Sequence, residues 1–98
     1  MPIYLKSDET VLTDVASRLR QLRLLQNLTQ AQVAERSLVP LPTYKAFEHT
    51  GRISLPQLVA VSNVLGRKDD FELIFRAPPA QTLDDLVPQN KPRQRARP

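Results

Sequence analysis

At 98 residues the chain has room for one small hydrophobic core and too little material for two. It contains no cysteine, which rules out a disulfide-stapled secreted domain and a thiolate metal site and fits a reducing compartment. The net charge of +4 is supplied by Lys91, Arg93, Arg95 and Arg97 at the far end, although within residues 11–52 Arg18, Arg20, Arg23, Arg36, Lys45 and Arg52 also outweigh Asp14, Glu35 and Glu48.

No basic leader followed by an apolar run opens the chain, and no apolar stretch approaches the ~20 residues of a membrane span. The expectation is a soluble, cytoplasmic protein with no membrane partner. One histidine, two glycines and no Gly-rich phosphate loop leave little catalytic material, so a non-enzyme without cofactor or metal is expected.

Residues 1–7 (MPIYLKS) are short, apolar and β-tolerant. They fit an ordered arm, a strand pairing with a partner, or a frayed end. From about Asp8 a first helix is predicted, with Ser7 as a candidate cap and Asp8, Glu9 and Asp14 toward its positive end. Leu12, Val15, Ala16, Leu19 and Leu22 recur at three and four residues and form its apolar face, and it should end near Asn27.

The next stretch organises the chain. Thr29 followed by Gln32 has the T-x-x-Q spacing of a capping box and starts a second helix, in which Ala31, Val33 and Ala34 are small or slender enough for close crossing. Pro40 and Pro42 suit the cap or first turn of a third helix and not its middle. That helix should begin near Leu41, with Tyr44 and Phe47 on one face, Thr43, Lys45 and Ala46 on another, and His49-Thr-Gly51 as its stop. Helices this short are not stable alone and need a surrounding bundle.

Ser54 is a good N-cap for a fourth helix, with Pro56 in its first turn, Leu58, Val61, Val64 and Leu65 facing inward, and Gly66 closing it. Asp69 or Asp70 can cap a fifth, residues 71–75, which Ala77-Pro-Pro79 terminates. Phe71, Leu73, Ile74 and Phe75 are too apolar to be left in water: part of the set should fill the core, and Phe71, Ile74 and Phe75 are the candidates for a two-fold dimer contact. Residues 82–86 (TLDDL) have room for one helical turn. The last dozen, VPQNKPRQRARP, combine prolines and cations with almost nothing to bury, and are expected to be disordered when free. An arm on DNA phosphates, a docking strip for an acidic partner and an inert solubilising end all fit them. The predicted organisation is an N-terminal arm over 1–7, a helical domain over 8–76 and a Pro-rich basic tail over 77–98.

His49 has no second histidine, cysteine or paired carboxylate beside it and reads as a surface residue at a helix end. Asp69-Asp70 reads as a capping pair rather than a metal site.

Taken together, L-T-Q-x-x-V-A, then T-x-x-x-F-E and T-G-x-I-S-L-x-x-L resemble the Xre/Cro-type helix-turn-helix family over roughly residues 11–75. Within it, F-E-x-T-G-R-I-S-L, a helix ending L-G, and F-E-L-I-F followed by prolines and T-L-D-D-L are most similar to the HipB-like regulators. The resemblance implies an all-α, five-helix, lambda-repressor-like bundle with a flexible C-terminal tail. It further implies a homodimeric repressor that binds a double-stranded operator, regulates its own operon and serves as antitoxin to a HipA-like kinase toxin or its complex. By position, Arg23 and Glu48 match an ion pair tying the first helix to the third. Gln30 matches a phosphate-contacting glutamine, Leu41, Pro42, Thr43, Lys45 and Ala46 match base- and phosphate-contacting positions, and Arg52 matches a phosphate contact in the following loop.

The chain departs from the family pattern at Leu38, where glycine is common, at Pro40, where serine or threonine is usual, and at Leu41 and Pro42, where polar readers often stand. Leu41 and Pro42 cannot hydrogen-bond a base edge and can at most touch a thymine methyl. Readout then falls to Thr43 and Lys45, with affinity leaning on phosphates and DNA shape or the site favouring thymine. A protein-interaction module that keeps the scaffold and has little operator reading is the alternative.

Overall fold

In the computed structural model, which describes residues 2–79, every regular element is helical. Four α-helices follow one another: α1 (Asp8–Leu25), α2 (Gln30–Ser37), α3 (Leu41–Thr50) and α4 (Leu55–Val64), with short 3-10 helices at Ile3–Leu5 and Lys68–Glu72. The expectations for Met1 and for residues 80–98, including the turn at 82–86 and the basic tail, lie outside the described residues.

The predicted starts are where local chemistry puts them. Ser7 and Ser54 each accept from the backbone N–H three residues on, and Thr29 and Gln32 form the reciprocal capping box, so three of the four helices begin with a satisfied donor. α3 is different. Pro40 stands at its N-cap without a side-chain bond and Pro42 lies in its first turn, leaving Leu41 and Thr43 as the N–H donors of that end. The first return bond runs from Tyr44 N–H to the Pro40 carbonyl at 2.9 Å.

All four helices stop at a residue of positive φ: Asn27 (57°), Leu38 (60°), Gly51 (80°) and Gly66 (76°). After α2 the Val39 N–H returns to the Ala34 carbonyl and the Leu38 N–H to the Glu35 carbonyl, the two bonds of a Schellman closure. Leu38 thus does a glycine's work with a side chain that is 90% exposed and packs on little. Left-handed backbone costs an L-residue roughly 1–2 kcal/mol, partly offset by the greater unfolded-state freedom of glycine. Leu38→Gly should therefore stabilise the fold by up to about 1 kcal/mol in urea unfolding; a loss of stability would show that Leu38 makes a contact of its own.

The core is built from Ala16 and Leu19 of α1, Val33 and Ala34 of α2, Val39 of the bend, Tyr44 and Phe47 of α3, and Val61 and Leu65 at the end of α4. Val15, Leu22, Leu28, Leu41, Ile53, Leu58 and Val64 line its edge, whereas Ala31 is exposed. α1 packs chiefly on α3, and α2 on both α3 and α4. Gln26 closes the far end, donating to the Leu65 carbonyl at 2.9 Å.

Two expectations are corrected. The fifth helix is not an α-helix over 71–75 but a 3-10 helix over Lys68–Glu72, with Asp69 and Asp70 in its first turn and no side-chain cap. A stretch this short cannot offset α-helical nucleation, and the prolines after Ala77 forbid lengthening it. The 3.0 Å Arg67–Asp70 pair suits the eclipsed i, i+3 geometry of a 3-10 turn. Nor does any of Phe71, Leu73, Ile74 and Phe75 enter the buried core: Phe71 is half-buried, the other three are exposed, and Phe75 is 96% exposed at positive φ. At the other end, residues 3–5 form a helical turn rather than a strand, and Lys6 anchors it to Asp14 at 2.8 Å. That hydrogen bond holds the Asp14 carboxyl below the usual carboxylate range.

Candidate nucleic-acid interface

Behind α3 lies a polar knot that fixes its position. The Glu48 carboxylate is only 4% exposed and accepts from Arg23 Nε at 2.6 Å and Arg23 Nη2 at 3.0 Å, the two-pronged geometry open to arginine and not to lysine. It also accepts from Gln30 Nε2 at 2.9 Å and from the Tyr44 hydroxyl. Arg23 in turn donates through Nη1 to the Leu28 carbonyl at 2.9 Å, and Arg20 Nε lies 3.9 Å from Glu48. One carboxylate thereby joins α1, α2 and α3.

Burial works to raise the Glu48 carboxyl, but hydrogen bonds from Arg23, Tyr44 and Gln30, with the guanidinium charge, outweigh it and hold the group below the usual range. The hydrogen bond to Glu48, set against desolvation, raises Arg23 and keeps it cationic. Burial foremost, and then the bond to Glu48, pushes the Tyr44 hydroxyl well above its ordinary value, so it remains a donor at any physiological pH.

The knot decides which face of α3 is offered outward. Tyr44, Phe47 and Gly51 are buried, and at about 100° per residue the opposite face carries Pro42, Lys45, Ala46 and His49, all exposed. Leu41 and Thr43 fall on the flanks and are half-buried, Leu41 packing against the core. The first two turns of α3 therefore gather Leu41, Pro42, Thr43, Lys45 and Ala46 as a unit but do not present them equally. His49 belongs to the outward stripe, which the sequence reading missed. Its i+7 spacing from Pro42 was the signal, but it counted for nothing until the buried face was known.

The remaining candidates sit apart from that stripe. Gln30, at the start of α2, is half-buried with its amide engaged by Glu48. Arg52, in the loop after α3, is exposed and its guanidinium meets Glu9 of α1, a contact open to solvent on both sides and therefore weak. Asp8, Glu9, Val11, Leu12 and Arg52 line a wide, shallow hollow there. Phe71, Ile74 and Phe75 lie beyond α4.

Among the described residues no three His, Cys, Asp or Glu side chains come together to hold a metal ion, and no helix is long and apolar enough to cross a membrane. A convex rod with one cation and one imidazole on an otherwise apolar stripe fits a groove of about 12 Å, the width of the DNA major groove. Residues 19–71 match the family described as helix-turn-helix. Neither the curated proteins nor the solved structures contain a match to the chain.

Proposed function

The chain belongs to the helix-turn-helix family of DNA-binding regulators, and on that premise we propose that it is a dimeric transcriptional repressor that inserts α3 of each protomer into the major groove of a palindromic operator. It acts by binding and not by catalysis, in the cytoplasm, as the antitoxin of a HipA-like kinase toxin whose operon it also represses. The observation that carries the DNA half is the outward stripe of α3, with Lys45 exposed at its centre and a rigid ionic knot behind it. The dimer is supported by Ile74 and Phe75, large apolar side chains open to solvent in the single chain. The antitoxin role rests on the HipB-like sequence pattern running from Phe47 to Leu86.

A mobility-shift titration against the DNA upstream of the coding region, at two salt concentrations, tests the DNA half. A binder that neutralises phosphates weakens steeply with salt. Thr43→Ala with Lys45→Ala should weaken binding by about tenfold or more and flatten the salt slope by about one unit. Unchanged affinity would misplace the reading surface. For the antitoxin half, co-expression with a kinase-like reading frame beside the gene should give a co-purifying complex, and its failure to form would remove that role. A second reading, a protein-interaction module with little operator reading, is favoured by Leu41 turning into the core and by Pro42 offering no donor. It expects no salt-sensitive shift on any upstream fragment.

A further inference from the structure

The outward stripe of α3 alternates in chemistry: Pro42 apolar, Lys45 cationic, Ala46 apolar, His49 an imidazole, all exposed. Resting on the DNA-binding reading above, we propose that Pro42 and Ala46 form a methyl-reading pair, so that the chain selects a 5-methylpyrimidine, thymine foremost, at the step they face, beside a purine edge or phosphate taken by Lys45.

The geometry supports this in two ways. Residues four apart on a helix have Cβ atoms about 6 Å apart on one face, so Pro42 and Ala46 form a single apolar surface with Lys45 at its side. A pyrimidine 5-methyl is the only apolar group the base pairs display in the major groove. The stripe also discriminates by what it cannot satisfy. Neither side chain hydrogen-bonds, Pro42 has no N–H, and the Ala46 carbonyl already accepts from the Thr50 hydroxyl at 2.8 Å. A cytosine or adenine amine, or a guanine carbonyl, pressed against this surface would lose its water without a partner. Leu41 adds little, because its side chain is partly committed to the core.

The test uses the full chain. A site is first selected from a random duplex pool, and each thymine in it is then replaced singly by deoxyuridine, which removes the methyl and leaves pairing intact. At one or two positions per half-site binding should fall roughly fourfold, the worth of one buried methyl group. In Pro42→Ala, an exposed first-turn change compatible with the helix, that penalty should shrink at one of them. Replacing the sensitive thymine by cytosine and by 5-methylcytosine, each opposite guanine, isolates the methyl: both should bind less well than thymine because the amine goes unpartnered, but 5-methylcytosine better than cytosine, and equal binding of the two would overturn the methyl-reading pair. A selected site indifferent to deoxyuridine at every position would overturn the methyl-reading pair while leaving DNA binding intact. A pool that yields no enriched site would remove the DNA-binding reading itself, and this inference with it.

Discussion

Glu48→Ala is expected to cost the fold about 3–5 kcal/mol, because it leaves the Arg23 guanidinium buried without its counter-charge. The change also removes the acceptor for the Tyr44 hydroxyl and for Gln30, so three helices lose their common tie at once. For a domain this small such a loss is a large fraction of the whole, and the midpoint of thermal unfolding should fall by roughly 4–8 °C for each kcal/mol. Arg23→Met with Glu48→Met, which removes both charges together, should recover much of it, since a buried pair is often matched by apolar residues of similar size. A single change costing under about 1 kcal/mol would show that the pair is solvated in solution.

The same knot sets a pH dependence. Because the folded-state pKa of Glu48 is depressed, its contribution is complete above the ordinary carboxylate value of 4.5 and is lost as pH falls below it through the folded value. Urea midpoints measured from pH 7 downward should stay level until about that point and then decline. Glu48→Gln, weaker at pH 7, should lose part of that acid slope and approach the parent chain at low pH. An identical slope in the variant would assign it to other carboxylates.

Gly51→Ala is the second large effect, and its origin is steric. A Cβ at this position would stand 2.5 Å from the backbone carbon and oxygen of Leu12 and 2.7 Å from the Leu12 Cβ, where α1 crosses the end of α3. Those atoms belong to a helix backbone and cannot rotate aside, so α1 must shift. Left-handed strain and forced repacking together predict a loss of roughly 2–5 kcal/mol. Gly66 separates the two causes. It shares the positive φ, yet a Cβ there meets nothing within 4 Å, so Gly66→Ala should show the backbone cost alone. Equal losses at the two glycines would mean that the approach of Leu12 is looser than the structure has it. Because Gly51 directly follows α3, Gly51→Ala should also weaken DNA binding by displacing the helix, whereas Gly66→Ala should not.

What could be read from the chain before folding was local. Ser7, Thr29 with Gln32, Ser54 and Gly66 are signals whose partners lie within a few residues, so the helix starts and most stops followed from spacing. The short third helix between Pro40 and Gly51 was legible for the same reason: two prolines can occupy only the first turn, and a glycine relieves the last. The apolar face of α1 was legible from its three- and four-residue recurrence. The fifth helix was misread because a five-residue stretch, Phe71, Leu73, Ile74 and Phe75 around a single Glu72, is too short for a periodic signal that separates an α-helix from a 3-10 turn.

Only tertiary structure decided the rest. The outward stripe of α3, with His49 in it and Leu41 turned partly away, depends on which face Tyr44 and Phe47 bury, and that is set by α1, many residues distant. That Glu48 also collects Gln30 and Tyr44 depends on three helices meeting at one carboxylate. The reach of the Gly51 backbone toward Leu12 depends on how closely α1 crosses α3. Spacing along the chain determines what each helix can begin, end and offer, because capping and periodicity act over one or two turns. Packing determines which of those offers faces water, because burial is shared among segments that no local pattern connects.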